Sequence, residues 1–283
     1  MSDALVRTPV FPTWCPGCGN FGIWGAFKMA LKELAIPEEK LVVVFDVGCS
    51  GNMTDFVPVF GFHALHGRSI PIAEGISMAN HDLTIIVIGG DGGIYGEGMG
   101  HFISACKGNH NITLLVHDNQ TYGLTKGQTS PTTCKGVKTG STPQGVIEEP
   151  INPIAMAITA KATWVGRSYA TNIPFTKDMI IKAIKHQGFS VLDIFQPCVT
   201  FNKLNTQAWF KERITQLPTE YKPDSRLEAW ELAEQEDKLP IGVFYEDSVA
   251  QPYHELLPQL GEKTLQSQFA TQLDLTPAMS EFA

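Results

Sequence analysis

The stretch LTIIVIGGDGG, residues 83–93, joins a short apolar run to a single acid, Asp91, set among glycines. Such a run, rich in β-branched residues and closed by Gly, fits a parallel strand buried on both faces. Glycines at its end let the backbone approach a ligand closely and offer N–H groups to anionic oxygens. The pattern places a helix start near Glu97, so that the positive end of its dipole would face the same anion.

Working outward, the next apolar run lies in ITLLVHDNQTYGLT, residues 112–125, where Asn119 again falls just past the run. Residues 93–118 are enough for one crossover helix and a returning parallel strand, so Asp91 and Asn119 can meet at neighbouring strand ends. One carboxylate and one amide oxygen, completed by phosphate oxygens, water and the Thr121 carbonyl, make a hard oxygen shell suited to Mg²⁺. A GDG tripeptide alone would be an ordinary turn. Its pairing with Asn119 gives it meaning.

Further strands are expected at 41–46, 163–166 and 191–195, and helices at 21–34, 97–107 and 177–186. Alternating strands and helices predict an α/β fold, a doubly wound, mostly parallel sheet with helices on both faces. Ligands of such sheets bind beyond the carboxyl ends of the strands. Residues 125–153, rich in Gly, Ser, Thr and Pro, suggest a long functional loop. The expected organisation is an α/β domain over 1–204 and, over 205–283, a polar C-terminal arm that packs on the domain or on a partner subunit.

The chain has 283 residues, 43% of them hydrophobic, a net charge of -8 and a pI near 5.5. Such a composition supports a sizeable core. No basic footprint points to nucleic acid. No stretch has the length of a membrane span or the apolar core of a secretory signal. A cytoplasmic location is expected, where structural disulfides are rare, so the six cysteines need another explanation.

Cys15 and Cys18 stand as CPGC, a spacing that lets one turn aim two sulfurs at one centre. Cys49 follows the first strand in VGCSGN, and Cys198 follows the last in FQPCVT. Four thiolates hold either zinc or an iron–sulfur cluster, and spacing does not separate the two. A redox dithiol or a reduced structural pair also accounts for CPGC. Cys106 and Cys134 read as ordinary thiols.

The Asp91 and Asn119 pair resembles the diphosphate-binding motif of thiamine-diphosphate enzymes. Together with the cysteines it resembles the β subunits of the 2-oxoacid:ferredoxin oxidoreductases, through WCPGCGNFG, VGCSGN, FHALHGR, IGGDGG, HDNQTYGLTKGQTSPT and LDIFQPC in order from about Trp14 to Asn205. The resemblance implies the diphosphate-binding domain of the thiamine-diphosphate-binding fold and three cofactors: thiamine diphosphate, Mg²⁺ on Asp91, Asn119 and Thr121, and a 4Fe-4S cluster on Cys15, Cys18, Cys49 and Cys198. It implies that Val47, Gly48, Cys49, Ser50, His66, Gly92, Gly93, Gly123 and Leu124 line the coenzyme, with His66 catalytic and His63 and Arg68 near the substrate. Cys49 would then serve both the cluster and the coenzyme.

The implied reaction is oxidative decarboxylation of a 2-oxoacid with coenzyme A, 2-oxoglutarate first and pyruvate or a broad range next. Electrons would leave singly through the cluster to a ferredoxin. A separate α subunit, bearing the pyrimidine domain, would complete an α₂β₂ assembly. Relatives often carry Asp where this chain has Gly93, and a basic residue in place of Asn52. The first difference removes a carboxylate beside the metal; the second leaves substrate recognition open. A thiamine-dependent decarboxylase that passes no electrons and a zinc-stapled binding module are the alternatives.

Overall fold

In the computed structural model, which describes residues 8–235, 237–260, 263–268 and 275–282, the apolar runs become the centre of one eight-stranded sheet ordered β2-β1-β3-β4-β6-β5-β8-β7. The strands are β1 (Leu41–Phe45), β2 (Phe60–His63), β3 (Thr84–Gly90), β4 (Ile112–Asp118), β5 (Trp164–Tyr169), β6 (Phe189–Phe195), β7 (Ile214–Gln216) and β8 (Leu239–Glu246). The first six are parallel, with Ile86 opposite Thr113 and Val116 opposite Asp193 in the central ladders. β8 runs antiparallel to β5, and β7 lies parallel to β8.

The alternation along each strand feeds two cores. Ile85 and Val87 of β3, Leu114 and Val116 of β4, and Phe189 and Val191 of β6 point to one face. Ile86 and Ile88, Leu115, and Leu192 and Ile194 point to the other. The first face is covered by α2 (Ser69–Ala79), α3 (Met99–Gly108), α4 (Pro153–Thr159) and α7 (Arg226–Ala233). The second is covered by α1 (Asn20–Leu34) and α5 (Ile173–Lys185). Each fully buried Leu, Ile or Phe contributes roughly 1.5–3 kcal/mol.

Helix α1 shows the local logic. Ile23, Phe27, Ala30 and Leu31 recur on its buried face, and it ends where Ala35 turns left-handed (φ 50°) and returns its N–H to the Leu31 carbonyl. Leaving β3, the chain enters a wide π-type turn over Gly92–Glu97 that runs into α3. Helical structure therefore begins directly after Asp91, earlier than the Glu97 start expected from sequence. From residue 205 onward, α6 (Gln207–Arg213) leads into β7, α7 packs against α4, and β8 extends the sheet beyond β5.

Successive strands β1 and β2 lie side by side, and the chain then crosses to the opposite side of β1 to form β3. The carboxyl ends of β1 and β3 thus flank the point where winding reverses, the place where open α/β sheets leave a crevice.

Candidate active site

Asp46, the residue after β1, is fully buried. Its Oδ1 accepts from Val47 N at 2.8 Å and Gly67 N at 3.1 Å, and lies 3.1 Å from His66 Nδ1. Its Oδ2 accepts from Ser69 Oγ at 2.6 Å. His66 Nε2 in turn lies 3.3 Å from Glu97 Oε2. Tyr122 Oη donates to the same carboxylate oxygen at 3.0 Å and sets its ring edge-on to the imidazole. Gly92 has to be glycine because a Cβ there would stand 2.3 Å from the Tyr122 ring. Arg68 is turned toward the Gly67 and Glu97 carbonyls, and His63 ends the exposed edge strand β2.

The loop after β1 carries Gly48 in a conformation (φ 139°) that L side chains rarely adopt. It then brings Ser50 beneath β3. The Ser50 hydroxyl is buried without a hydrogen-bond partner, and a Cβ on Gly90 would lie 3.5 Å from it.

Cys15, Cys18, Cys49 and Cys198 line a single cavity of about 260 Å³, shared with Asn119 and Gly123. Leu124 also borders it, half-exposed. The CPGC turn closes through Cys18 N and the Cys15 carbonyl at 3.0 Å, and docks where Gly19 N meets the Pro197 carbonyl at 3.2 Å. Trp14 Nε1 donates to the Cys49 carbonyl at 2.7 Å, pinning the N-terminal segment to the β1 loop. Burial, and then the neighbouring thiols, push the Cys49 thiol up to about 12 and raise Cys18 as well. Among the described residues no three Cys, His, Asp or Glu side chains already converge as a ligand set for an ion. The four cysteines share the lining of one space.

At the ends of β3 and β4, Thr132 Oγ1 lies 2.8 Å from Asp91 Oδ2 and 2.8 Å from Asp118 Oδ1. Asn119 Oδ1 accepts from Thr121 N at 3.0 Å across Gln120, whose φ of 58° makes the tight turn. Burial pushes Asp91 up to about 6 and Asp118 well above the usual carboxylate range. Asp193 of β6 is raised by the same cause and sits 3.4 Å from Arg167 Nε. Three buried carboxylates therefore face one buried guanidinium. A cation or bound protons must supply the remaining positive charge.

Asp46, Glu97, Tyr122, Thr132 and Asp118 are not among the residues that the sequence singles out. Asp46 and Asp118 carry a usable signal, since each ends an apolar run where ligands of such sheets gather. Thr132 carries none. It reaches the acids only because the 125–153 loop folds back, with Thr133 Oγ1 donating to the Gln120 carbonyl at 2.8 Å and Ile151 N to the Pro131 carbonyl at 3.0 Å.

Known proteins share this sequence pattern and this fold. The profile of the thiamine pyrophosphate enzyme C-terminal TPP-binding domain matches residues 46–194, and that of the C-terminal region of the pyruvate ferredoxin oxidoreductase β chain matches residues 198–262. The 2-oxoacid:ferredoxin oxidoreductase subunit β of Sulfolobus sp is 42% identical over 96% of this chain and 91% of its own length. That of Saccharolobus solfataricus is 43% identical over 87% of this chain and 85% of its own. A solved structure, the 2-oxoglutarate:ferredoxin oxidoreductase from Magnetococcus marinus with 2-oxoglutarate, coenzyme A and succinyl-CoA bound, superposes with a TM-score of 0.90 at 33% identity, covering 100% of this chain and 96% of that one. A thiamine-diphosphate domain whose β1, β3 and β4 ends open beside a nest of thiols, matched nearly end to end by these relatives, belongs to the β subunits of the 2-oxoacid:ferredoxin oxidoreductases, a family of oxidoreductases.

Proposed function

We propose that this β subunit, joined to an α subunit that supplies the pyrimidine-binding half of the site in an α₂β₂ assembly, oxidatively decarboxylates 2-oxoglutarate with coenzyme A and passes electrons singly to a ferredoxin. The observation that carries this reading is the sharing of one cavity by Cys15, Cys18, Cys49 and Cys198 with Asn119 and Gly123 at the end of β4. Electron acceptor and coenzyme would then be immediate neighbours. The preference for 2-oxoglutarate over pyruvate is supported by the substrate named for the Magnetococcus marinus enzyme.

The residues fit the groups proposed for them. A zinc ion needs four sulfurs at about 2.3 Å from one point, whereas a cuboidal 4Fe-4S cluster needs them spread around a larger body. Four cysteines among the residues that line a cavity of about 260 Å³ leave room for the second. The Asp91 carboxylate, the Asn119 amide oxygen and the Thr121 carbonyl offer Mg²⁺ the hard donors it takes, and the surplus of buried acid favours a divalent cation. The unpartnered Ser50 hydroxyl beside Gly90 suits a phosphate oxygen.

When bound, thiamine diphosphate supplies the nucleophilic carbon and the electron sink that loss of CO₂ from a 2-oxoacid requires. Val47, Gly48, Ser50, Gly92, Gly93, Gly123 and Leu124 would shape its seat. His66 would hold and move a proton, its Nδ1 fixed by Asp46 and its Nε2, opposed by the half-exposed Glu97, available for exchange with substrate.

The deciding experiment is anaerobic reduction of a low-potential acceptor by the α and β subunits together, comparing 2-oxoglutarate with pyruvate in the presence of coenzyme A. Coenzyme-A-dependent reduction, faster with 2-oxoglutarate, is expected, along with iron, acid-labile sulfide and a visible absorbance bleached by dithionite. Failure of both substrates, or zinc in place of iron, would overturn it.

A further inference from the structure

Asp46 is not among the residues proposed above to hold the coenzyme, the metal or the cluster. It nevertheless has two neighbours that define it. Toward the crevice it faces His66, and four groups from two segments of the chain (Val47 N, His66 Nδ1, Gly67 N and Ser69 Oγ) surround its two oxygens. Ser69 opens α2, so one buried carboxylate ties the end of β1 to the turn that carries the imidazole.

Behind that carboxylate lies Gly93. A Cβ built there would stand 2.4 Å from Asp46 Oδ1, 3.1 Å from Asp46 Cγ and 3.2 Å from His66 Cε1. The first distance is closer than real Cβ contacts allow, and the atom it meets is not the loose end of a flexible chain. Gly93 is absent from the glycines with positive φ, so its backbone does not demand glycine. What demands glycine is the Asp46 carboxylate.

We infer that Asp46 is the positioning residue for His66, and that Gly93 is glycine because Asp46 already fills, from the end of β1, the space beside His66 Nδ1 that a carboxylate can take. The oxygen of Asp46 fixes Nδ1 and with it the plane of the ring, so that Nε2, opposed by the half-exposed Glu97 carboxylate, is the nitrogen left for exchange with substrate. This rests on the acid–base role of His66 proposed above. A carboxylate-bearing side chain at position 93 and the one at position 46 exclude each other.

The test uses the assembled α and β complex carrying coenzyme and cluster. Asp46→Asn keeps the shape and the acceptor oxygen but removes the charge, and should lower kcat by about 10–100-fold with KM for the 2-oxoacid changed less than about twofold. His66→Ala should lower kcat at least as far. Gly93→Asp should cripple the enzyme, while Asp46→Gly with Gly93→Asp should recover activity above both single variants by returning a carboxylate to His66. Melting temperature gives a readout independent of turnover: Gly93→Ala should lower it sharply beside Asp46 and little in an Asp46→Ala background. If His66→Ala leaves kcat intact, the role of His66 falls and this inference with it. If His66→Ala lowers kcat but Asp46→Asn does not, the inference alone is overturned. Equal loss of melting temperature in the two backgrounds would refute the spatial exclusion.

Discussion

The carboxylates of Asp91 and Asp118 share one hydroxyl, each standing 2.8 Å from Thr132 Oγ1. A hydroxyl has one hydrogen, so it donates to one acid and accepts a hydrogen bond from the other, which must then carry its proton. Burial raises both acids, Asp91 to about 6. A carboxyl whose folded pKa lies above its unfolded value of 3.8 adds stability at low pH, and that contribution is lost as pH rises through about 6.

Metal binding should show the opposite slope, because a cation needs the carboxylate that the proton occupies. On the ligand set proposed above, Mg²⁺ binding should weaken below about pH 6, with apparent affinity falling about tenfold per unit once the acid is protonated. Titration calorimetry on the metal-free complex between pH 5 and 8 checks this. Affinity independent of pH would exclude Asp91 as the ligand.

Thr132→Val removes the shared hydrogen and leaves two buried acids facing a methyl group. Loss of this buried partner should cost about 1–3 kcal/mol in urea unfolding. It should also move the midpoint of the Mg²⁺ pH profile upward. Full stability with an unmoved profile would show that the hydroxyl is dispensable.

The cysteines divide into two groups. Cys18→Ala or Cys198→Ala should abolish bound iron and ferredoxin reduction. Cys134→Ala should leave both intact, since Cys134 accepts only a long contact from Asn205 Nδ2 at 3.9 Å and lies outside the cysteine-lined cavity. Iron and sulfide analysis of anaerobically purified variants separates the outcomes.

Arg167 is buried between Asp193 and the rings of Phe195 and Phe244. Tyr95 Oη donates to the other oxygen of Asp193 at 3.1 Å. Arg167→Met strands a buried carboxylate, so destabilisation of about 3–5 kcal/mol is expected in denaturant unfolding. Arg167→Met combined with Asp193→Asn should recover much of that loss, because the carboxylate that faced Arg167 is neutralised with it.

The central strands are legible because burial on both faces writes a continuous apolar run. β3 and β4 fall within a residue of where 83–89 and 112–117 place them. β2 is not legible: FGFH is four exposed residues at a sheet edge, and nothing in its pattern announces pairing. β8 hides behind Pro240 and Gly242, whose φ of 143° suits a distorted strand that reads as a loop. The place of Asp46 at the close of the run 41–46 marks it as a candidate but not its role, which depends on His66, twenty positions later, folding back over it. Periodicity reports burial; it does not report which distant donors find a buried oxygen.

The reversed course of β8 has a practical corollary. The six parallel strands deliver their chemistry to one rim, whereas Glu246 pairs with Trp164 at the start of β5 and so emerges at the far rim. There the backbone turns on Asp247 Oδ1 and leaves Val249 87% exposed. A tether fixed at Val249 would hold the subunit to a bead or surface from behind, with its thiol-lined cavity directed outward.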